Sequence, residues 1–355
     1  MADPRVQQLA RTLVHHSIKA RPGERVLVSA ECTAAPLVRE VMRELLRAGA
    51  LPAPLISVPG TEEIFFAEAS EAQLRDVAWT ELLYANAAAM VVIDARANTR
   101  ALTNVDPEKQ RIRREARRAV QKYILEDKVR WVLTQFPCDA LAMEADMSLE
   151  EFEDFLYGAT NIDHAALEQS MRAAADLFDA ASEVRVTAPG TDVTINIAGR
   201  KGVLCAGCHN VPDGEFFYTP NHLETRGEIL YEWPTNYQGQ EISGIRLRFE
   251  GGKVVEASAK KGEAALLRAL ETDEGSRYLG ELGIGCNFGI TRPTRNILFD
   301  EKIGGSVHLA LGASYPSAGK GNESALHWDM VKNLREGGRI ELDGVLVQQD
   351  GKWCF

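Results

Sequence analysis

The chain has 355 residues, of which 45% are apolar and 26% are charged, and its formal net charge is −11 at pH 7. This length exceeds what one hydrophobic core usually holds, so two domains are expected. The acidic balance excludes an extended nucleic-acid surface, which needs a basic field. The sequence contains no apolar run of about 18 residues, so no membrane-spanning helix is predicted.

Helical and strand patterns alternate through the first half of the chain. Short runs rich in Val, Ile and Leu predict strands at residues 24–29, 53–58, 90–94 and 130–134. Apolar residues at helical spacing predict helices at residues 6–17, 36–48, 74–86, 107–125 and 163–181. Such alternation is typical of a parallel sheet covered on both faces. It predicts a doubly wound, flavodoxin-like α/β domain over residues 1–182.

The second half has a different periodicity. Alternating or β-branched runs predict strands at residues 183–187, 192–197, 242–249, 253–256, 339–342 and 345–347. Glycine-containing turns join the last two pairs as hairpins. Residues 183–355 are therefore expected to form a mostly antiparallel α+β domain, and it carries every candidate ligand described below.

Two local patterns have ordinary interpretations. The basic cluster at residues 109–122 repeats apolar residues at helical spacing, which favours a solvated helix face over an RNA-binding surface. The segment Cys205-Ala206-Gly207-Cys208-His209 matches the c-type haem attachment pattern. The sequence lacks the apolar stretch of an export signal, however, so buried thiols and a cytoplasmic location are predicted.

Side chains that can bind a metal are concentrated near the end of the chain, at His308, Tyr315, His327 and Asp329. If residues 325–330 form a strand, His327 and Asp329 leave from one face while their neighbours pack on the other. Imidazole and carboxylate together suit zinc, cobalt, manganese or iron(II). A His-x-Asp strand alone also fits a core histidine held by an acid, so further ligands are needed.

Two earlier segments supply further acids. NVPDGEFF, residues 210–217, is a turn that delivers Glu215 into an aromatic strand, and GELGIGCN, residues 280–287, sets Glu281 among glycines that permit close backbone approach. These two segments are followed in the chain by DEKIGGSVHLALGASYP and then by ALHWD. The four segments, in this order, resemble the thermophilic-type metalloaminopeptidases, the family of aminopeptidase T, aminopeptidase S and PepS. The resemblance covers essentially the whole chain.

The resemblance implies a set of metal ligands and a reaction. The ligands would be Glu215, Glu281, His308, Tyr315, His327 and Asp329, with Glu215, Glu281 and Tyr315 also placed in catalysis. They would hold two divalent ions, zinc, cobalt or manganese, that activate water to remove the N-terminal residue from peptides with a free N-terminus. The segment between Tyr315 and His327 is shorter than in longer family members, which affects the expected pocket shape.

The resemblance also implies a homodimer. The aromatic run at residues 216–218 is expected to be exposed and, together with Trp233 and Tyr237, to line either the interface or the substrate pocket. The sequence leaves the general base open among Glu301, Glu228 and Asp213.

Two other functions remain open from the sequence. The first is ring cleavage by a mononuclear iron(II) dioxygenase of the 2,5-dihydroxypyridine type, which shares the fold. The second is a binding protein without catalysis. Retention of both Glu215 and Glu281 beside two histidines favours the peptidase.

Overall fold

The computed structural model describes residues 3–126 and 128–355. They form two compact units, of which the first runs to Asn161 and also contains Gly207–Val211. The second comprises Ile162–Ala206 and Pro212–Phe355. Compared with the predicted domains 1–182 and 183–355, residues 162–182 lie in the second unit and residues 207–211 in the first.

The first unit is built on a parallel sheet. In spatial order its strands are Leu51–Ser57, Arg25–Glu31, Ala89–Asp94, Arg130–Gln135 and Asn210–Val211. This is the 2-1-3-4-5 order of flavodoxin-like folds. The predicted parallel sheet is confirmed, and its last strand comes from a segment that the sequence analysis placed beyond the first domain.

The helices of the first unit include a π-helical segment and a 3₁₀ segment. They are Pro4–Arg11, Thr12–Ser17, Cys32–Ala34, Ala35–Arg47, Thr61–Glu68, Glu71–Arg75, Ala78–Asn86, Pro107–Leu125, Asp139–Glu144 and Leu149–Thr160. The predicted helix at residues 74–86 is divided in two, because the backbone is extended at Asp76, between the helices Glu71–Arg75 and Ala78–Asn86. No helix of the described chain has the length and apolarity that crossing a membrane requires.

The second unit contains a long antiparallel sheet. In spatial order its strands are Lys253–Ser258, Ile245–Glu250, Arg226–Tyr231, Thr191–Asn196, Glu183–Ala188, Arg339–Leu342, Val345–Gln349 and Lys352–Trp353. A separate hairpin pairs Thr235–Tyr237 with Gln240–Ile242. The predicted antiparallel second half is confirmed.

A shorter antiparallel sheet in the same unit carries the candidate ligands and is called the site sheet. In spatial order its strands are His327–Asn333, Ser306–Gly312, Leu279–Gly285, Glu215–Tyr218 and Val203–Cys205. The helical segments of this unit are His164–Asp179, Glu263–Ala269, Glu274–Arg277, Ile297–Asp300 and Pro316–Ala318.

One face of the site sheet packs into the apolar core of the second unit. This face consists of Phe216, Tyr218, Leu282, Ile284, Val307, Leu309, Leu311, Trp328 and Met330. The expectation that residues 216–218 are exposed is wrong, because Phe216 and Tyr218 are both 0% exposed. The apolar face of this strand packs inside the unit and so is closed to an interface.

Candidate metal centre

The opposite face of the site sheet carries most of the candidate ligands. Successive residues of a strand point to opposite faces, so the core positions of each strand alternate with the site positions. Five of the six predicted ligands take site positions, namely Glu215, Glu281, His308, His327 and Asp329. Strand register brings them together: Ala310 is opposite both Glu281 and Asp329, and Gly312 is opposite His327.

Small residues make room for the ligand side chains at the middle of this face. His308 lies opposite Gly283, and a Cβ atom built on Gly283 would be 2.0 Å from Nε2 of His308. The imidazole ring therefore occupies the space that a side chain at position 283 would fill. Ala310 has the same effect between Glu281 and Asp329, because it separates their strands with only a methyl group.

The imidazole of His308 lies between two buried carboxylates. Its Nε2 atom is 3.1 Å from Oε1 of Glu281 and 3.3 Å from Oε2 of Glu215. His308 is 0% exposed, and the two glutamates are exposed to 5% and 6%. One nitrogen facing two acids is a convergent donor set of the kind that a divalent cation requires.

The predicted His-x-Asp strand forms as expected, and it orients His327. Nε2 of His327 lies 3.3 Å from Oδ2 of Asp329. Nδ1 of the same ring is 2.8 Å from the carbonyl oxygen of Ala313, to which it donates a hydrogen bond. A backbone acceptor at Nδ1 fixes the tautomer and directs Nε2 toward the site, as is usual for metal-binding histidines.

Tyr315 lies at the edge of the cluster, and half of its surface is exposed. It follows the strand Ser306–Gly312 and precedes the 3₁₀ turn Pro316–Ala318. Its ring packs edge-on against His327, with centroids 4.7 Å apart, and against Phe217 at 5.8 Å. Burial and the neighbouring carboxylates raise the pKa of its phenol. Tyr315 therefore links the buried acids to the open side of the site.

Lys302 is a site residue that the sequence analysis missed. It is 0% exposed, its Nζ atom lies 3.4 Å from Oε1 of Glu215, and it also contacts Oε1 of Glu301. The signal in the sequence is weak, because a lysine between an acid and an apolar residue in DEKIGG has the composition of an ordinary loop.

The structure separates the acids considered as general base. Glu301 belongs to a cluster with Glu215 and His308, whose ligand atoms all lie within 4.8 Å of one another. Asp213 forms a similar cluster with Cys205 and Glu215. Glu228 instead lies on the long sheet, half exposed, where it pairs with Arg246 at 3.0 Å. It is not part of the centre.

The centre concentrates acids away from water, and this shifts the pKa values of its titratable groups. Burial raises the pKa of Glu215 to about 8 despite the nearby Lys302 ammonium. Burial alone would lower the pKa of His308, but the hydrogen bond that its ring donates to Glu281 and the charge of Glu215 raise it to about 10. Burial opposes and Asp329 favours the charged form of His327, whose pKa rises to about 9.

The donor set fits divalent cations. Within the described residues, the buried atoms Oε2 of Glu281, Oδ1 of Asp329 and Nδ1 of His308 have no hydrogen-bond partner. Glu281, His308 and Asp329 also form a cluster whose ligand atoms lie within 4.8 Å of one another. Buried carboxylate oxygens without donors are costly unless a cation compensates them. Mixed imidazole and carboxylate donors suit zinc, cobalt or manganese.

Comparison with known proteins gives a family match over almost the whole chain. The family described as thermophilic metalloprotease (M29) matches residues 2–353. Aminopeptidase 2 of Geobacillus stearothermophilus is 27% identical, over 99% of this chain and 98% of that protein. Aminopeptidase T of Thermus aquaticus is 31% identical, but the alignment spans only 47% of this chain and 48% of that protein.

Solved structures with the same fold include two enzymes. Wild-type AmpT from Thermus thermophilus superposes with a TM-score of 0.84 at 25% identity, over 99% of both chains. The 2,5-dihydroxypyridine dioxygenase from Pseudomonas putida KT2440 superposes with a TM-score of 0.61 at 15% identity, over 98% of this chain and 96% of that chain. The second likeness concerns the fold alone.

Proposed function

The chain belongs to the thermophilic metalloprotease (M29) family and is a metal-dependent aminopeptidase, and on this premise we propose that the centre on the site sheet removes the N-terminal residue from peptides using two divalent ions. The observation that carries the proposal is the position of Nε2 of His308 between two buried carboxylates, at 3.1 Å and 3.3 Å. The ligands would be Glu215, Glu281, His308, Tyr315, His327 and Asp329.

The chemistry of the bound ions is that of Lewis acids, which acidify water and polarise a carbonyl oxygen. Zinc, cobalt and manganese suit the donors. Contacts within the chain orient two of the proposed donors, since the Ala313 carbonyl accepts a hydrogen bond from His327 and the space over Gly283 holds His308. A preorganised site avoids reorganisation during the reaction.

Three groups of the chain have proposed roles in turnover. Glu301 is the general base, because its carboxylate joins the cluster of Glu215 and His308. Tyr315 contacts the substrate, because it is the half-exposed member of the set. The acidic face attracts the positive α-amine of a peptide, and this attraction confines the enzyme to free N-termini.

The fold shared with the dioxygenase does not favour ring cleavage, because at 15% identity it concerns architecture only. The homodimer and the cytoplasmic location stay predictions. Apolar side chains on the first unit are compatible with a homodimer, since Trp79 is 79% exposed and Ile64 is 63% exposed. Light scattering tests this point, and a mass near the 39.1 kDa of one chain would contradict the dimer.

An activity assay tests the proposed function. Purified protein should hydrolyse Leu-p-nitroanilide, lose this activity on dialysis against a chelator and regain it with Zn²⁺, Co²⁺ or Mn²⁺. N-acetyl-Leu-p-nitroanilide is the matched control, because it differs only in its blocked amine and should not be cleaved. Full activity in the metal-free protein would refute the proposal, as would oxygen uptake on 2,5-dihydroxypyridine without peptide cleavage.

A further inference from the structure

Lys302 places an ammonium group inside the candidate centre. Its side chain is completely buried, its Nζ atom lies 3.4 Å from Oε1 of Glu215, and it contacts the carboxylate of Glu301. An ammonium is desolvated at high cost and is retained in such a position only where acids compensate it. The carboxylates of Glu215 and Glu301 compensate it here.

The acids are not shared evenly between this ammonium and the rest of the centre. Two of the three ligand clusters contain Glu215, with Cys205 and Asp213 in one and with Glu301 and His308 in the other. Glu215 is also the ligand that Lys302 contacts directly. In the remaining cluster, Glu281 with His308 and Asp329, no side chain forms an ion pair or hydrogen bond with Nζ of Lys302 within the described residues.

The acceptor atoms of the three carboxylates differ in their partners. Oε2 of Glu281, Oδ1 of Asp329 and Oε2 of Glu215 are all buried without a hydrogen-bond donor in the described chain. The other oxygens of Glu281 and Asp329 lie 3.1 Å and 3.3 Å from the imidazoles of His308 and His327, which are themselves proposed ligands. Oε1 of Glu215 instead faces the Lys302 ammonium. A cation on Glu215 must therefore share that carboxylate with Lys302, whereas a cation on Glu281 and Asp329 need not.

We propose that Lys302 acts as a built-in cation that divides the centre into a tight metal position on Glu281, His308 and Asp329 and a weaker, exchangeable position that uses Glu215. This inference rests on the proposed function. A divalent ion on Glu215 would lie a few ångströms from Nζ, and like charges at that separation repel strongly even at an effective dielectric constant of about 20. The two dissociation constants should therefore differ by at least about 10-fold.

Comparison with a second buried lysine provides the control. Lys332 is also 0% exposed, and its Nζ atom contacts Glu232 and lies 3.3 Å from the carbonyl oxygen of Pro189. It touches none of the candidate ligands in these contacts. Lys332→Met therefore removes an equally buried ammonium without changing the charge beside Glu215.

The experiment is a Zn²⁺ titration of chelator-treated protein. Calorimetry measures the affinity of each site, and metal analysis after gel filtration counts the ions that stay bound. The unmodified protein should bind one ion tightly and a second at least about 10-fold more weakly, retaining close to one ion after filtration. Lys302→Met should tighten the second site by about 10-fold or more. Lys302→Arg keeps the charge and Lys332→Met removes a remote one, so both should behave as the unmodified protein does.

The outcomes separate the two proposals. Two equally tight ions in the unmodified protein, or an unchanged second site in Lys302→Met, would overturn the role of Lys302 and leave the proposed function standing. If the unmodified protein binds no Zn²⁺, both proposals fail. Should Lys302→Met not fold by circular dichroism, Lys302→Gln takes its place, and the two affinities of the unmodified protein still decide the main point.

Discussion

The imidazole of His308 occupies the space above Gly283 where any other residue would place its Cβ atom, and that atom would lie 2.0 Å from Nε2. Real Cβ atoms do not approach so closely, so the ring must move if position 283 gains a side chain. This pair couples the backbone of one strand to a proposed ligand on the next, because the two residues are cross-strand partners.

The first prediction concerns this pair. Gly283→Ala should displace the His308 ring, cost about 1–3 kcal/mol in the free energy of unfolding and abolish tight metal binding. Metal analysis and thermal melting measure the two effects. Gly158→Ala is the control, since a Cβ at Gly158 meets nothing within 4 Å and lies in a helix, where alanine is preferred. Normal metal content in Gly283→Ala would contradict the packing argument.

The second prediction concerns the carboxylate ligands. Glu281→Gln keeps the shape of the side chain and removes its charge, so kcat should fall by about 10³-fold or more as transition-state stabilisation is lost. The same change at Glu228, which pairs with Arg246 on the other sheet, should leave kcat unchanged. Steady-state kinetics on Leu-p-nitroanilide compare the two variants. Equal rates for both would remove Glu281 from the ligand set.

The third prediction concerns protons. Without metal, the pKa values of His308 and His327 are raised to about 10 and 9, so both rings are protonated at pH 7. A metal ligand must be neutral imidazole, so metal binding should release protons, and affinity should increase as pH rises from about 6 to 9. Calorimetry in buffers of different ionisation enthalpy counts the released protons. Affinity that is independent of pH would show that these rings are not ligands.

Helices and strands with a clear periodic pattern could be predicted from the sequence. Features that depend on how strands pair with one another could not. The strand at His327 was expected because alternation is visible in ALHWD. The strand Asn210–Val211 was not expected, because two residues carry no periodic signal and its partner strand, Arg130–Gln135, lies far away in sequence. Local patterns also cannot show which strand is the neighbour of which.

The candidate site divides in the same way. Residue types and order pointed to the six proposed ligands, but not to the space over Gly283 or the small side chain of Ala310, which become meaningful only when strands pair. Lys302 was missed because a charged residue next to Glu301 predicts a solvated loop. In the fold its ammonium is instead compensated by buried acids, which only tertiary structure brings together.

The measurement that tests the central claim most directly is anomalous X-ray scattering at the zinc edge from crystals grown with Zn²⁺. We expect the strongest peak among Nε2 of His308, the carboxylate of Glu281 and that of Asp329, with a weaker peak beside Glu215. An active protein whose crystals show no zinc at these residues, or zinc only elsewhere, would contradict the assignment of the site sheet as the metal centre.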